Sequence, residues 1–361
     1  MSPYSWRGLC LDLARSFFPP LVLRDIIVRM ADLGLNRLHL HLTDDQGWRI
    51  EIPGRPELTD ISGRTAIRGG NPGWLTVADW ERLAEFGERR GVVLVPEIDL
   101  PGHITAALHA TPALTGGRPI AAHDADRIAP AGLDAALPAT GEFLRDVLGK
   151  VAAMTSGDWI HIGGDECLAL SPEDYRELIT LAVGIVEEAG KRPVAWQEAA
   201  LAGLGDRLIL QLWALGSASP EDARPAAMAH LMGAQWAALA ASDPLTGLFD
   251  RTIAALLREA GRGAGIIMSP APWTYLDMRS SPDGPGQDWA GVLTVERAGD
   301  WDPATVLPGL DPARILGVEA ALWTEMVHTE AEFYDRLFPR LDVFAGVALC
   351  DRAGAASPRT P

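Results

Sequence analysis

Two consecutive carboxylates, Asp165 and Glu166, close the run His161-Ile162-Gly163-Gly164-Asp165-Glu166. Paired acids just past an apolar strand are placed to move protons to and from a reacting group. The two glycines allow a tight turn and the close approach of a ligand. Neighbours on a regular strand face opposite ways, but at a strand end both carboxyls can reach one cleft. The same residues could also form a polar turn that caps the next helix. The rest of the chain decides between these readings.

Eight short runs have strand character, and helical patterns separate most of them. The runs are 8–14, 37–42, 92–96, the stretch leading into Asp165, 193–196, 208–213, 265–269 and 315–322. Pro19-Pro20 precede a helix with Leu23, Ile26, Ile27 and Met30 at helical spacing, and Gly34 is its stop. Thr76 starts a second helix, residues 142–154 form a third, and Ser171-Pro172 open a fourth. The patterns between Ala214 and Gly263 exceed one crossover and predict an extra helix or lid. Residues 108–138 are rich in Ala, Gly and Pro and are expected to be loop.

Alternating strands and helices call for a parallel sheet, and eight units predict closure into a single-domain α/β fold, the (β/α)8 TIM barrel, with loop and helix insertions. An open doubly wound sheet would need a Gly-rich phosphate turn after its first strand, and Ala14-Arg15-Ser16-Phe17 is not one. The barrel is expected over residues 1–350, with 351–361 a disordered tail.

Closure has a chemical consequence. Arg15, Asp44, Asp99, Asp165, Trp196, Trp213, Asp277 and Glu325 all fall at or just past C-terminal strand ends, and in a barrel those ends meet at one mouth. A lone tryptophan is more often core than site, but Trp196, Trp213 and Trp323 at one mouth make flat walls suited to a sugar ring. Trp323 and Glu325 share a parity and can face one cavity. Arg15 and Asp44 could fix sugar hydroxyls or pair with each other. His103 could contact substrate or orient a carboxylate. Asp45 is expected to brace the loop after the second strand, and His39 and His41 to be satisfied core histidines. A metal centre built from His103, His161, Asp99, Asp165, Glu97 and Glu166 is the rival reading. No His-x-His ends the first strand and His161 lies inside the fourth, so no catalytic metal is expected.

Composition removes other classes. The chain has 361 residues, 48% hydrophobic and 22% charged, too balanced for disorder. A net charge of −17 argues against nucleic acid or an anionic membrane as partner. Cys10, Cys167 and Cys350 make no disulfide framework. The chain as given opens with no basic, apolar and cleavage-site leader, so a cytoplasmic location is expected, or secretion if a longer precursor was trimmed.

These motifs, in this order, resemble the catalytic domain of glycoside hydrolase family 20, the β-N-acetylhexosaminidases. The matching stretches are Arg7-Gly8 with Leu11-Asp12 and 14–18, then 38–49, Pro96-Glu97-Ile98-Asp99 with Pro101-Gly102-His103, and 161–166. Trp196-Gln197-Glu198, Gln211-Leu212-Trp213, Tyr275-Leu276-Asp277 and Trp323-Thr324-Glu325 follow.

The resemblance implies a retaining exo-hydrolase of terminal β-linked N-acetylglucosamine or N-acetylgalactosamine, needing no cofactor. The substrate's own acetamide oxygen would be the nucleophile, an exception to the two-carboxylate scheme. Asp165 would hold the acetamide N–H, Glu166 would act as general acid and base, and Tyr275 would align the acetamide oxygen. Trp196, Trp213 and Trp323 would enclose the methyl and the ring. Arg15, Asp44 and Glu325 would hold the outer hydroxyls, with Asp277 and His103 nearby and Trp289 lining the sugar site. The partner would be an oligosaccharide or glycoconjugate bearing N-acetylhexosamine. This chain has Ser16 where the family usually places His, and lacks the usual Tyr before Trp301-Asp302-Pro303. A silent N-acetylhexosamine-binding barrel and a metal-dependent barrel hydrolase are the alternative functions.

Overall fold

The computed structural model describes residues 2–167, 169–220 and 245–350. Eight parallel strands close into a barrel in sequence order: β1 Trp6–Asp12, β2 Arg37–His41, β3 Val93–Leu100, β4 Trp159–Gly163, β5 Arg192–Trp196, β6 Ile209–Leu212, β7 Ile266–Met268 and β8 Ile315–Leu322. β8 pairs back onto β1, with Gly8 opposite Glu319. The strands are nearly all buried, as strands covered on both faces must be.

The helices follow from local signals. Pro20–Asp32 starts on a proline and buries Val22, Leu23, Ile26, Ile27 and Met30. Val77–Glu88 carries a capping box between Thr76 and Asp79. Ser171 caps Pro172–Glu188 by accepting from Asp174 N. The helix expected over 142–154 begins earlier, at Pro138. Two crossovers depart from the simple repeat. β5 and β6 are joined by the 3-10 turns Gln197–Ala202 and Gly205–Arg207, and β7 and β8 by short helices at Ala271–Thr274 and Val295–Gly299. The helix Leu245–Gly261 is the crossover that the repeat needs between β6 and β7, and the extra helix or lid expected between Ala214 and Gly263 would fall on 221–244. Residues 221–244 and the tail 351–361 lie outside the described residues. No described helix is long and apolar enough to cross a membrane.

β3 corrects the expected strand end. It runs to Leu100 rather than stopping at Pro96, so Glu97 and Asp99 lie within the strand, both buried. Their charge reads as a strand end in sequence only because a barrel interior is usually branched and aliphatic. Here the interior is layered. Trp6, Val95, Val194, Ile209 and Ile267 plug the lower end. Trp159 packs edge-on to Trp6 at 5.5 Å, and the Arg37 guanidinium lies 4.4 Å over Trp159. Above that plug sit His39, Glu97, His161, Gln211 and Glu319, all buried. Glu319 accepts from His39 Nδ1 at 2.8 Å, Gln211 Nε2 at 2.9 Å and Trp6 Nε1 at 2.7 Å. Paired in this way, buried charge is tolerable.

Candidate active site

The loop after β4 begins with Gly163 at φ +67° and Gly164 at φ +100°. Sequence reasoning gave these glycines to an approaching ligand, but what approaches is the side chain of Asp99. A Cβ on Gly163 would lie 1.6 Å from Asp99 Oδ1, and Gly164 N donates to that oxygen at 3.3 Å. The turn therefore wraps a buried carboxyl and presents Asp165 and Glu166 above it. Glu166 sits at φ +48° and His103 at φ +47°, the two non-glycine residues with positive φ among the described residues. Both line the same cavity, where stored backbone strain commonly collects.

That cavity occupies the C-terminal mouth of the barrel, about 760 Å³ with its open mouth, a size suited to a small ligand. Every residue to which the resemblance gives a part in the site lines it: Arg15, Asp44, His103, Asp165, Glu166, Trp196, Trp213, Tyr275, Asp277, Trp289, Trp323 and Glu325; Asp99, also placed at the mouth from sequence, does not. The aromatics form one box. Trp213 stacks on Tyr275 with centroids 6.5 Å apart and planes 13° apart. Trp289 stands edge-on to Trp213 and Tyr275, at 6.0 and 5.6 Å. Trp323 lies 5.9 Å from both Trp196 and Tyr275.

Arg15 supports the polar wall. Asp12 accepts from the backbone N of Ala14 and Arg15 and fixes the turn. The guanidinium reaches Asp44 at 2.8 Å and Glu325 at 3.9 Å, and lies 5.3 Å from the Trp323 ring. Pairing and hydroxyl binding are thus available to the same side chain. Ser16 points away from the cavity chemistry: its Oγ accepts from Asn71, and its N donates to Thr324 Oγ1. Asp45 ties the loop after β2 to two later segments by accepting from Thr105 N and Ala129 N.

Electrostatics divides the acids. Burial works against a charged Asp44, but Arg15 and His103 outweigh it and hold the carboxyl well below the usual range. Burial raises Asp165; His103 pulls it back, Glu166 pushes it up, and the result is about 7. Burial likewise raises Glu325, partly offset by Arg15, again to about 7. Asp99 is raised by burial and by Asp165, and Asp277 by burial and by Glu325. His103 Nε2 lies 3.4 Å from Glu166 Oε2 and 3.7 Å from Asp165 Oδ2. Among the described residues, Asp165 Oδ1, Asp277 Oδ1 and Trp323 Nε1 are buried with no hydrogen-bond partner. Such orphans are expensive unless a ligand satisfies them. Crowded carboxyls in a largely buried cavity favour a reaction that develops positive charge.

Sequence reasoning missed several residues. His41 is buried and paired, as expected of a core histidine, yet it also lines the cavity, as do Gln46, Gln287 and the 126–128 stretch of the Ala-rich loop. Gln46 Nε2 anchors that loop through Ala125 O at 2.8 Å. Glu198 accepts the Trp213 indole N–H at 3.1 Å, while Gln197 Oε1 accepts from Trp213 N and Ala214 N at 2.9 Å. Their only signal was adjacency to Trp196. Arg340, on the helix Arg340–Leu349, donates to Leu276 O and Met278 O and so seats Tyr275 and Asp277. Cys167 beside Glu166 is pushed up to about 12 by burial, which fits a packing role. Of the rival metal reading, His103, Asp99 and Asp165 gather, while Glu97 and Asp99 gather with His41, which was expected to be a core histidine. Both ring nitrogens of His41, however, already bond to carboxylates, Glu97 at 2.6 Å and Asp44 at 2.9 Å.

The sequence description "Glycosyl hydrolase family 20, catalytic domain" matches residues 4–177 and 247–348. The chain belongs to glycosyl hydrolase family 20. A β-N-acetylhexosaminidase of Cellulomonas fimi is 39% identical over 347 residues, covering 96% of this chain and 63% of that protein. A β-hexosaminidase of Vibrio furnissii is 31% identical, covering 96% and 57%. The family 20 β-N-acetylhexosaminidase of Streptomyces coelicolor A3(2) superposes with a TM-score of 0.87 at 34% identity, covering 98% of this chain and 66% of that one. A mutant Streptomyces plicatus β-hexosaminidase, solved with the product GlcNAc, gives 0.86 at 33%, with the same coverage. This family 20 chain thus spans less than two thirds of the length of these relatives.

Proposed function

We propose that this chain is a retaining exo-β-N-acetylhexosaminidase that removes terminal β-linked N-acetylglucosamine or N-acetylgalactosamine by substrate assistance. The observation that carries the reading is the pairing of Asp165 and Glu166 at the mouth of an aromatic box, with Asp165 Oδ1 buried and unpartnered. That oxygen accepts the acetamide N–H. The acetamide oxygen, aligned by Tyr275, attacks the anomeric carbon while Glu166 protonates the departing glycosidic oxygen. The C–O bond to the leaving group breaks as the oxazolinium ring closes. Asp165 offsets its positive charge. Glu166, now a carboxylate, takes a proton from water, which attacks the anomeric carbon and reopens the ring with overall retention. Related proteins named as β-N-acetylhexosaminidases and a neighbour bound to GlcNAc support the substrate class.

The test is turnover of p-nitrophenyl N-acetyl-β-D-glucosaminide and its galacto epimer beside p-nitrophenyl β-D-glucoside. Cleavage of the first or second without the third is expected. Equal cleavage of the glucoside would remove the substrate-assisted mechanism, and no cleavage of either acetamido sugar would remove the activity.

A further inference from the structure

Glu97 does not line the cavity. It is fully buried on β3, level with its register partners His41 on β2 and His161 on β4. Its Oε1 accepts the Trp196 indole N–H at 2.8 Å, with His161 Nδ1 at 3.0 Å. Its Oε2 accepts from His41 Nδ1 at 2.6 Å, with His39 Nε2 at 3.0 Å. Trp196 and His41 do line the cavity. From His41 the contacts continue upward. Its Nε2 meets Asp44 Oδ2 at 2.9 Å, Asp44 Oδ1 meets His103 Nδ1 at 3.2 Å, and His103 Nε2 lies 3.4 Å from Glu166.

We propose that Glu97 is a positioning residue for the whole site: one oxygen locks the Trp196 wall, and the other locks the His41–Asp44–His103 arm that reaches Glu166. The residue touches no substrate. What the wall and the arm act on rests on the hexosaminidase reading; the two bonds from Glu97 stand without it. A carboxylate suits this place because it accepts on both oxygens, whereas an amide turns an NH2 toward one of its two donors. With Gln at position 97 the indole keeps an uncharged and weaker acceptor. His41 must then present a bare Nδ1, and the arm loses a charge. In the native chain burial opposes a charged His41, but Glu97 and its hydrogen bonds, with Asp44, lift it to about 9. The other ionisable groups around this layer are His39, His161, Cys10, Asp99 and Glu319.

The experiment compares wild type, Glu97→Gln and a control, Gln211→Met. The control disturbs the same buried layer through Glu319 and Ser269 and leaves the Glu97 contacts in place. Two readouts are taken: kcat and KM on p-nitrophenyl N-acetyl-β-D-glucosaminide, and the indole N–H resonance of Trp196 in 15N-indole-labelled protein, assigned by its absence in Trp196→Phe. Glu97→Gln is expected to lower kcat at least about tenfold with KM within about threefold, and to move the Trp196 resonance upfield. The control should do neither. A folded Glu97→Gln protein with wild-type kcat and an unmoved resonance would overturn the proposal. If the wild type cleaves no acetamido sugar, the functional reading fails, and the resonance alone still decides whether Glu97 holds Trp196.

Discussion

Asp165→Asn should stabilise the fold while disabling it, and the gain should grow with pH. Asp165 is held at about 7 in the folded chain against an ordinary 3.8, because burial and nearby carboxylates disfavour its charge. Between those values the folded chain keeps a proton that the unfolded chain has released. Stability contributed by this group therefore falls as pH rises from about 3.8 to about 7, and is flat above. The full span corresponds to about 4 kcal/mol, an upper bound at about 1.4 kcal/mol per pH unit. Asp99 and Glu198, also raised and in contact with the same field, share the relief. Asn removes the titration and keeps the shape. Urea unfolding followed by tryptophan fluorescence should show Asp165→Asn more stable than wild type by about 2–4 kcal/mol at pH 8.5. The gap should shrink by about 2 kcal/mol at pH 5.5, since the wild type still holds much of its proton there. In parallel, kcat/KM on an acetamido substrate should fall about 10²–10³-fold, the usual loss on deleting a group that meets developing charge. A variant equally stable with wild type at pH 8.5, or a gap independent of pH, would refute the reasoning that Asp165 is a strained acid.

Four further outcomes follow from the same geometry. Glu166→Gln should lower kcat on a natural-type glycoside by about 10²–10⁴-fold, the range for a lost general acid, measured under saturating substrate. The pH profile of kcat/KM should carry an acidic limb near pH 7, activity rising as Asp165 ionises, and Asp165→Asn should flatten it. Arg49→Met should destabilise the chain by about 3–5 kcal/mol in a denaturant titration. Buried Arg49 donates to Leu13 O, Ala14 O, Gly63 O, Gly73 O and Thr65 O, tying the β1 exit to the loops after β2. EDTA should leave turnover unchanged, whereas activity lost to chelator and restored by a divalent ion would favour the metal-dependent reading.

The sequence by itself determined the barrel and most of the membership of its mouth. Strands such as Ile266–Met268 and Ile315–Leu322 are legible because a strand buried on both faces must be apolar almost throughout. Counting eight of them places every strand end at one rim, and that alone collects Arg15, Asp165, Trp213 and Glu325 without any coordinates. Thr76 and Ser171 mark helix starts through local hydrogen bonding and Pro20 through its fixed φ and missing N–H, none of which needs a tertiary contact. Only the tertiary structure decided what lies beneath. Glu97 and Asp99 look like a strand end until the partners that make their burial tolerable, from β2, β4 and β5, are seen around them. Gly163 yields space to Asp99, which stands 64 residues away in the chain, and Arg340 seats a loop 64 residues before it. Charge state was likewise invisible in sequence. Asp44 and Asp165 are the same residue type at equivalent strand ends, yet one is driven down by Arg15 and the other up by its neighbours. Periodicity encodes which face of an element is buried, whereas pKa depends on distances and dielectric that exist only once the chain has folded.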